Sequence, residues 1–115
     1  MAHPQQVYPW AVTPEKVEAV IRVIIQVAQP SKLILFGSFA RGDTNINSDV
    51  DILGITRDDI ENPRREGIRI RHALRGISMP MDVLVIPQSA CERLKDLPGL
   101  IYREALMNGK VVYES

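Results

Sequence analysis

Residues 32–55 read KLILFGSFARGDTNINSDVDILGI, and this stretch decides the fold. It begins with the short, mostly apolar run Lys32–Phe36, which has the length and composition of a buried strand. The run ends abruptly at Gly37, and the turn-rich segment 37–48 is expected to open with one helical turn. Asp49–Ile55 alternates acidic and apolar residues before it becomes fully apolar, which predicts a second strand. The centre of the predicted domain is therefore a pair of buried strands joined by a polar connection.

Helical and strand patterns alternate on both sides of this stretch. Thr13 and Pro14 are a typical helix start, and the apolar spacing after them predicts an amphipathic helix that Pro30 ends. The helical period returns over Arg64–Ile77, and the apolar run Met81–Ile86 predicts a third strand. Helices over about 89–96 and to about 108, and a small strand at 111–113, complete the chain. This alternation predicts an α/β domain of packed layers, whose strand order the pattern leaves open.

Length and composition exclude several classes of protein. The chain has 115 residues, which is the size of one domain, with an extended arm over 1–12 and the domain over 13–115. Its 14 basic and 14 acidic residues cancel, which argues against a nucleic-acid-binding protein. The single cysteine, Cys91, excludes a disulfide framework and is predicted to be a small core residue. No segment has the pattern of a membrane span or of a signal peptide, so we expect a cytoplasmic protein.

The dipeptide Gly37-Ser38 lies where the first strand meets the expected helical turn. Glycine lets an anion approach the backbone, a helix start offers free N–H groups, and serine adds a hydroxyl. These are the groups that bind a phosphate. An ordinary Gly-Ser turn is the alternative.

Three aspartates can form an acidic cluster. Asp49 and Asp51 are two residues apart on a predicted strand, so their carboxylates project to the same side. Asp82 opens the third strand and joins them if that strand lies beside the second. Carboxylates placed this way raise one another's pKa unless a cation neutralises them, and paired oxygen ligands suit Mg²⁺. The alternative is solvated acids at strand ends.

The combined pattern resembles a known family. GS at 37–38, ten residues, and then DVD at 49–51 match without a gap the pattern of the minimal nucleotidyltransferases, the smallest members of the DNA polymerase beta superfamily. The flanks ARG at 40–42 and SD at 48–49 match as well. The resemblance extends over essentially the whole chain.

This resemblance implies a fold, a reaction and a set of roles. The implied fold is α+β, a mixed sheet with helices packed on it, and the implied reaction transfers AMP from ATP, or another nucleoside monophosphate, to an acceptor. By position, Gly37 and Ser38 bind the triphosphate. Asp49, Asp51 and Asp82 hold two Mg²⁺ ions, and Asp82 also helps to deprotonate the acceptor.

The resemblance also implies a partner. Minimal nucleotidyltransferases are usually encoded beside a small helical HEPN protein, and the pair is similar to a toxin–antitoxin module in which the transferase is the antitoxin. The implied acceptor is then a tyrosine of the HEPN protein. A partner chain or a homo-oligomer can complete the acceptor site. Arg41 is a further candidate for contact with the nucleotide phosphates.

Five arginines crowd the third predicted helix, on the side opposite its apolar residues. The apolar set is Ile70, Ala73, Leu74 and Ile77; the arginines are Arg64, Arg65, Arg69, Arg71 and Arg75. A solvated helix face is one interpretation. The other is a docking surface for an acidic partner, a triphosphate or RNA, which Ile68 favours because it is an apolar residue among the arginines.

Two other functions stay open. A non-catalytic antitoxin would neutralise its partner by covering it and would not need the aspartates. A small-molecule transferase similar to the aminoglycoside nucleotidyltransferases would need a further helical domain to shape its acceptor site.

Overall fold

Four strands form one mixed sheet in the computed structural model, which describes residues 11–42, 49–59, 62–94 and 101–115. The strands are β1 (Lys32–Phe36), β2 (Val50–Thr56), β3 (Met81–Pro87) and β4 (Lys110–Glu114). Their order across the sheet is β3-β2-β1-β4. β1 runs antiparallel to both of its neighbours, whereas β2 and β3 are parallel. The predicted mixed sheet is confirmed.

Helices cover both faces of this sheet. The helices are α1 (Pro14–Ala28), α2 (Gly37–Ala40), α3 (Pro63–Ala73), α4 (Gln88–Leu94) and α5 (Ile101–Asn108). α1 and α3 pack on one face, where Ile24 and Ile70 share a buried cluster with Leu33 and Ile52. α4 and α5 pack on the other face, against a second buried cluster. The predicted layered α/β arrangement is therefore present, with the sheet in the middle.

The apolar runs form strands because both of their sides are buried. Successive side chains of a strand point to opposite faces, so Leu33 and Leu35 belong to the first cluster and Ile34 and Phe36 to the second. β2 divides its apolar residues in the same way. Cys91 is buried in the second cluster, as predicted.

Polar caps begin the two long helices. The Thr13 side chain accepts a hydrogen bond from the Lys16 N–H at 3.2 Å, as its position before Pro14 predicts. Asn62 does the same for the Arg65 N–H, also at 3.2 Å, at the start of α3. α3 is the crossover that joins the parallel strands β2 and β3.

The predicted extension of α3 to Ile77 is wrong. The helix ends at Ala73, and the Leu74 N–H is shared between two carbonyls, those of Ile70 and Arg71, at 3.0 and 3.2 Å. This sharing tightens the last turn and redirects the chain. As a result Ala73 is exposed rather than on the buried face, whereas Leu74 is buried and Ile77 is partly buried.

Other boundaries differ by a residue or more. β2 begins at Val50, so Asp49 immediately precedes the strand instead of opening it. β3 continues through Pro87, and β4 extends one residue further at each end than predicted. Most of the predicted arm, residues 1–10, lies outside the described residues. Among the described helices, none has the length and apolar character needed to cross a membrane.

Candidate active site

Strand register brings two of the predicted site aspartates side by side. Asp51 on β2 is the direct partner of Asp82 on β3, and on its other side Asp51 is paired with Phe36 of β1. Gly37 follows Phe36, so the glycine and the two aspartates lie on three adjacent strands at one end of the sheet. Strand alternation puts both carboxylates on the face that α4 and α5 cover.

Two features of the structure favour a glycine at Gly37, its backbone conformation and its contact with Asp51. Its φ is +83°, in the left-handed region that side chains other than glycine rarely adopt. A Cβ atom built on Gly37 would overlap Oδ2 of Asp51. The absence of a side chain therefore lets the turn from β1 into α2 lie directly against the Asp51 carboxylate.

Ser38 connects this turn to the start of β2. Its Oγ accepts a hydrogen bond from the Asp49 N–H at 3.3 Å and lies 3.5 Å from the Asp49 carbonyl, to which it donates. The serine hydroxyl thus holds the backbone of Asp49 beside α2. The Asp49 side chain is exposed, whereas that of Asp51 is partly buried.

The surroundings of Asp51 raise the pKa of its carboxyl group. Burial raises the pKa of Asp51, and the negative charges of Asp82 and Asp49 raise it further. A side-chain hydrogen bond between Asp51 and Asp82 acts in the same direction. These neighbours therefore favour a proton or a cation on the Asp51 carboxylate.

Arg41 contributes the opposing charge. Its guanidinium lowers the pKa of Asp51, which means that the arginine is close enough to the carboxylates to act on them. Its Nη1 is also 4.0 Å from Oε1 of Glu104 on α5. Glu104 is a neighbour of the site that the sequence did not reveal, because only the packing of α5 brings it to a residue so distant along the chain.

The carboxylate oxygens of this site are suitable ligands for a divalent cation. Crowded carboxylate oxygens whose charge one arginine offsets only in part are the ligands that Mg²⁺ prefers. Within the described ranges, no three acidic, histidine or cysteine side chains are already gathered as a complete metal-holding group. Asp51 and Asp82 are in contact, and Asp49 stands apart from them in an exposed position.

A glycine turn thus lies against paired carboxylates at one end of the mixed sheet. The model of the nucleotidyltransferase domain family matches residues 17–112, which include the glycine turn and all three aspartates. The chain belongs to the nucleotidyltransferase domain family.

Solved structures of toxin–antitoxin systems share the fold. One, of a toxin–antitoxin with AMP-PNP, is 20% identical over 90% of this chain and 75% of that chain, with a TM-score of 0.52. Another, of a mutant of the toxin–antitoxin MntA–HpeT, is 16% identical over 90% of this chain and 74% of that chain, with the same TM-score of 0.52. No curated protein sequence matches the chain significantly.

Proposed function

We propose that this chain transfers AMP from ATP to a hydroxyl group of a partner protein, and that it acts by this reaction as the antitoxin of a toxin–antitoxin pair. The observation that carries the proposal is the register of Asp51 with Asp82, beside the glycine turn, in a member of the nucleotidyltransferase family. The partner that the sequence resemblance implies is a HEPN protein. The likeness in fold to two toxin–antitoxin structures, one of them with AMP-PNP, supports this direction.

The roles follow the positions of the residues. Gly37 lets the turn lie directly against the Asp51 carboxylate, and this turn, with the hydroxyl group of Ser38, would bind the triphosphate. Asp49, Asp51 and Asp82 would hold two Mg²⁺ ions, with Arg41 as a further contact for the phosphates. When bound, Mg²⁺ neutralises the triphosphate and lowers the pKa of an incoming hydroxyl group.

The proposed step is an in-line displacement at phosphorus. The acceptor hydroxyl oxygen forms a bond to the α-phosphorus of ATP, and the bond from that phosphorus to the oxygen that bridges to the β-phosphate breaks. Pyrophosphate leaves with the electron pair, and the hydroxyl proton passes to Asp82. Asp82 suits this role because its side chain is exposed at the open end of β3, where an acceptor can approach.

The compartment and the domain organisation belong to the same proposal. One transferase domain over 13–115 would act in the cytoplasm, where ATP is available, and its partner or a second copy would complete the acceptor site.

Co-expression with the toxin encoded beside it tests the proposal. Wild-type protein should restore growth and leave a nucleotide on the toxin, which intact-mass spectrometry detects. The Asp49→Asn and Asp51→Asn double variant should bind ATP weakly, leave the toxin unmodified and fail to restore growth. Full rescue by the double variant would contradict transfer and would favour an antitoxin that acts by covering its partner.

A further inference from the structure

A groove runs along β3, on the side of the carboxylates away from the glycine turn. Among the described strands, β3 pairs only with β2, and residues from the end of α3 and the turn after it line a depression together with the start of β3. A cavity of about 290 Å³ lies there. We call it the β3-edge groove and define it by Arg71, Leu74, Arg75, Ile77, Met81 and Asp82.

The structure separates the arginines of this region into two kinds. Arg69 is neutralised, because its Nη1 lies 3.0 Å from both carboxylate oxygens of Glu66. Arg71 donates to the Val83 carbonyl at 3.0 Å, which holds its guanidinium over β3. Neither Arg71 nor Arg75 has a carboxylate partner within the described parts of the chain. The groove therefore carries the charges of two arginines and of Asp82, and neither arginine forms an ion pair with a carboxylate in the described parts of the chain.

These charges adjoin further surface that suits a partner. Arg71 also lines two neighbouring cavities of about 270 and 240 Å³, so the depression continues along α3. Ile68, which borders the smaller one, is 55% exposed. Exposed apolar side chains next to unpaired arginines are typical of protein interfaces.

The position of the groove indicates which substrate it serves. Across the sheet, the order is the glycine turn after β1, Asp51 on β2, Asp82 on β3, and then the groove. An in-line displacement needs the attacking hydroxyl and the leaving pyrophosphate on opposite sides of the phosphorus. If the triphosphate occupies the glycine side, the acceptor must approach from the β3 side.

We propose that the β3-edge groove binds an acidic, extended segment of the protein that accepts the nucleotide, with Arg71 and Arg75 as the residues that select it. This inference rests on the proposed function. In an extended segment, neighbouring side chains point to opposite sides. A hydroxyl residue can then face Asp82 while the acidic residues beside it face the arginines. A protein segment is favoured over RNA because Asp82, which lines the groove, repels a continuous polyanion but can face an uncharged residue of a peptide.

Peptide binding tests the inference without catalysis. The probe is a short fluorescent peptide with a central tyrosine between two glutamates, and its control peptide has glutamines instead. Fluorescence anisotropy at low ionic strength, without ATP or Mg²⁺, should show binding of the acidic peptide to the wild type at least about tenfold tighter than binding of the control peptide.

Charge-reversal variants test whether the peptide binds in the β3-edge groove. The Arg71→Glu, Arg75→Glu double variant should lose at least about tenfold in peptide affinity, and the Arg71→Gln, Arg75→Gln variant should follow it if reversal disturbs folding. The matched control is Arg65→Glu, on the same helix but outside the groove, which should bind the peptide as the wild type does. ATP affinity should be unchanged in all of these variants.

Four results would overturn the inference. They are no preference of the wild type for the acidic peptide, an equal loss in Arg65→Glu, a loss of ATP affinity in the groove variants, and tighter groove-dependent binding of a short oligoribonucleotide. Groove-dependent peptide binding in a protein that transfers no nucleotide would support the groove and contradict the proposed function, so the two failures are distinguishable.

Discussion

Gly37 lies so close to Asp51 that the two residues act as one structural unit. The left-handed backbone of the glycine turns the chain out of β1, and the space where a side chain would stand contains the Asp51 carboxylate. Ser38 adds a second connection, from the same turn to the backbone of Asp49. The turn therefore helps to position Asp51 and the backbone of Asp49.

Replacing Gly37 tests this unit. Gly37→Ala should destabilise the protein by about 1–3 kcal/mol through backbone strain and should lower transfer activity by about 100-fold, because Asp51 must move. Gly42→Ala is the matched control, since Gly42 also has a positive φ, 89°, but a Cβ there meets nothing within 4 Å. Denaturant unfolding and a transfer assay separate the two effects. Equal losses of activity in both variants would contradict the role of the contact with Asp51.

The raised pKa of Asp51 predicts a dependence of stability on pH. As pH rises past the ordinary value of 3.8, the unfolded chain releases its proton before the folded chain does. The stabilising contribution is present below that value and is lost as pH rises through the folded pKa. The asparagine of Asp51→Asn stays neutral at every pH. As pH rises above 3.8, the free energy of unfolding of Asp51→Asn should therefore increase relative to that of the metal-free wild type.

Thermal unfolding in the presence of a metal chelator, at several pH values, measures the difference in stability between Asp51→Asn and the wild type. The control is Asp59→Asn, which removes an exposed carboxylate outside the site. Its stability relative to the wild type should not increase with pH in this way. Adding Mg²⁺ at neutral pH should raise the melting temperature of the wild type and leave Asp51→Asn unchanged. A difference between Asp51→Asn and wild type that is independent of pH would contradict the account.

Helix α3 has two structural roles. It joins the parallel strands β2 and β3, and it packs against α1. Glu66 on its inner side is only 7% exposed, which is costly for a carboxylate unless it is paired. Arg69 supplies the pair and also donates to the Val27 carbonyl near the end of α1, at 3.2 Å. This arginine therefore fixes one helix to the other.

Removing Arg69 should destabilise the fold rather than affect catalysis directly. Arg69→Ala leaves the Glu66 carboxylate without its partner and should lower the free energy of unfolding by about 1–3 kcal/mol. Arg65→Ala, on the exposed side of the same helix, should change it by less than about 0.5 kcal/mol. Chemical denaturation compares the two variants, and equal small effects would contradict a structural role for Arg69.

Local patterns predicted the elements well and their ends less well. Apolar runs identified β1, β2 and β3 because helices cover both faces of the sheet there, whereas β4 is mostly exposed. The end of α3 was missed because the turn after Ala73 depends on a shared backbone hydrogen bond that no residue type announces. Strand order and direction depend on contacts between distant segments, so they came from the structure.

At the scale of the whole molecule, the sheet arranges its functional positions in one line. The glycine turn, Asp51 and Asp82 follow one another across β1, β2 and β3, and the β3-edge groove comes next. The sequence motif named the glycine, the serine and the three aspartates. It could not name Glu104 or the groove, because each is made by residues from separate elements that meet only after packing.

Nucleotidyl transfer is measured most directly with two labelled forms of ATP. The chain and its co-purified partner are incubated with Mg²⁺ and ATP labelled on the α-phosphate or on the γ-phosphate, and protein-bound label is counted. We expect label on protein from the α-phosphate only, with at least about 100-fold less in Asp51→Asn. Label from the γ-phosphate, or no label from either form while ATP is bound, would contradict nucleotidyl transfer at this site.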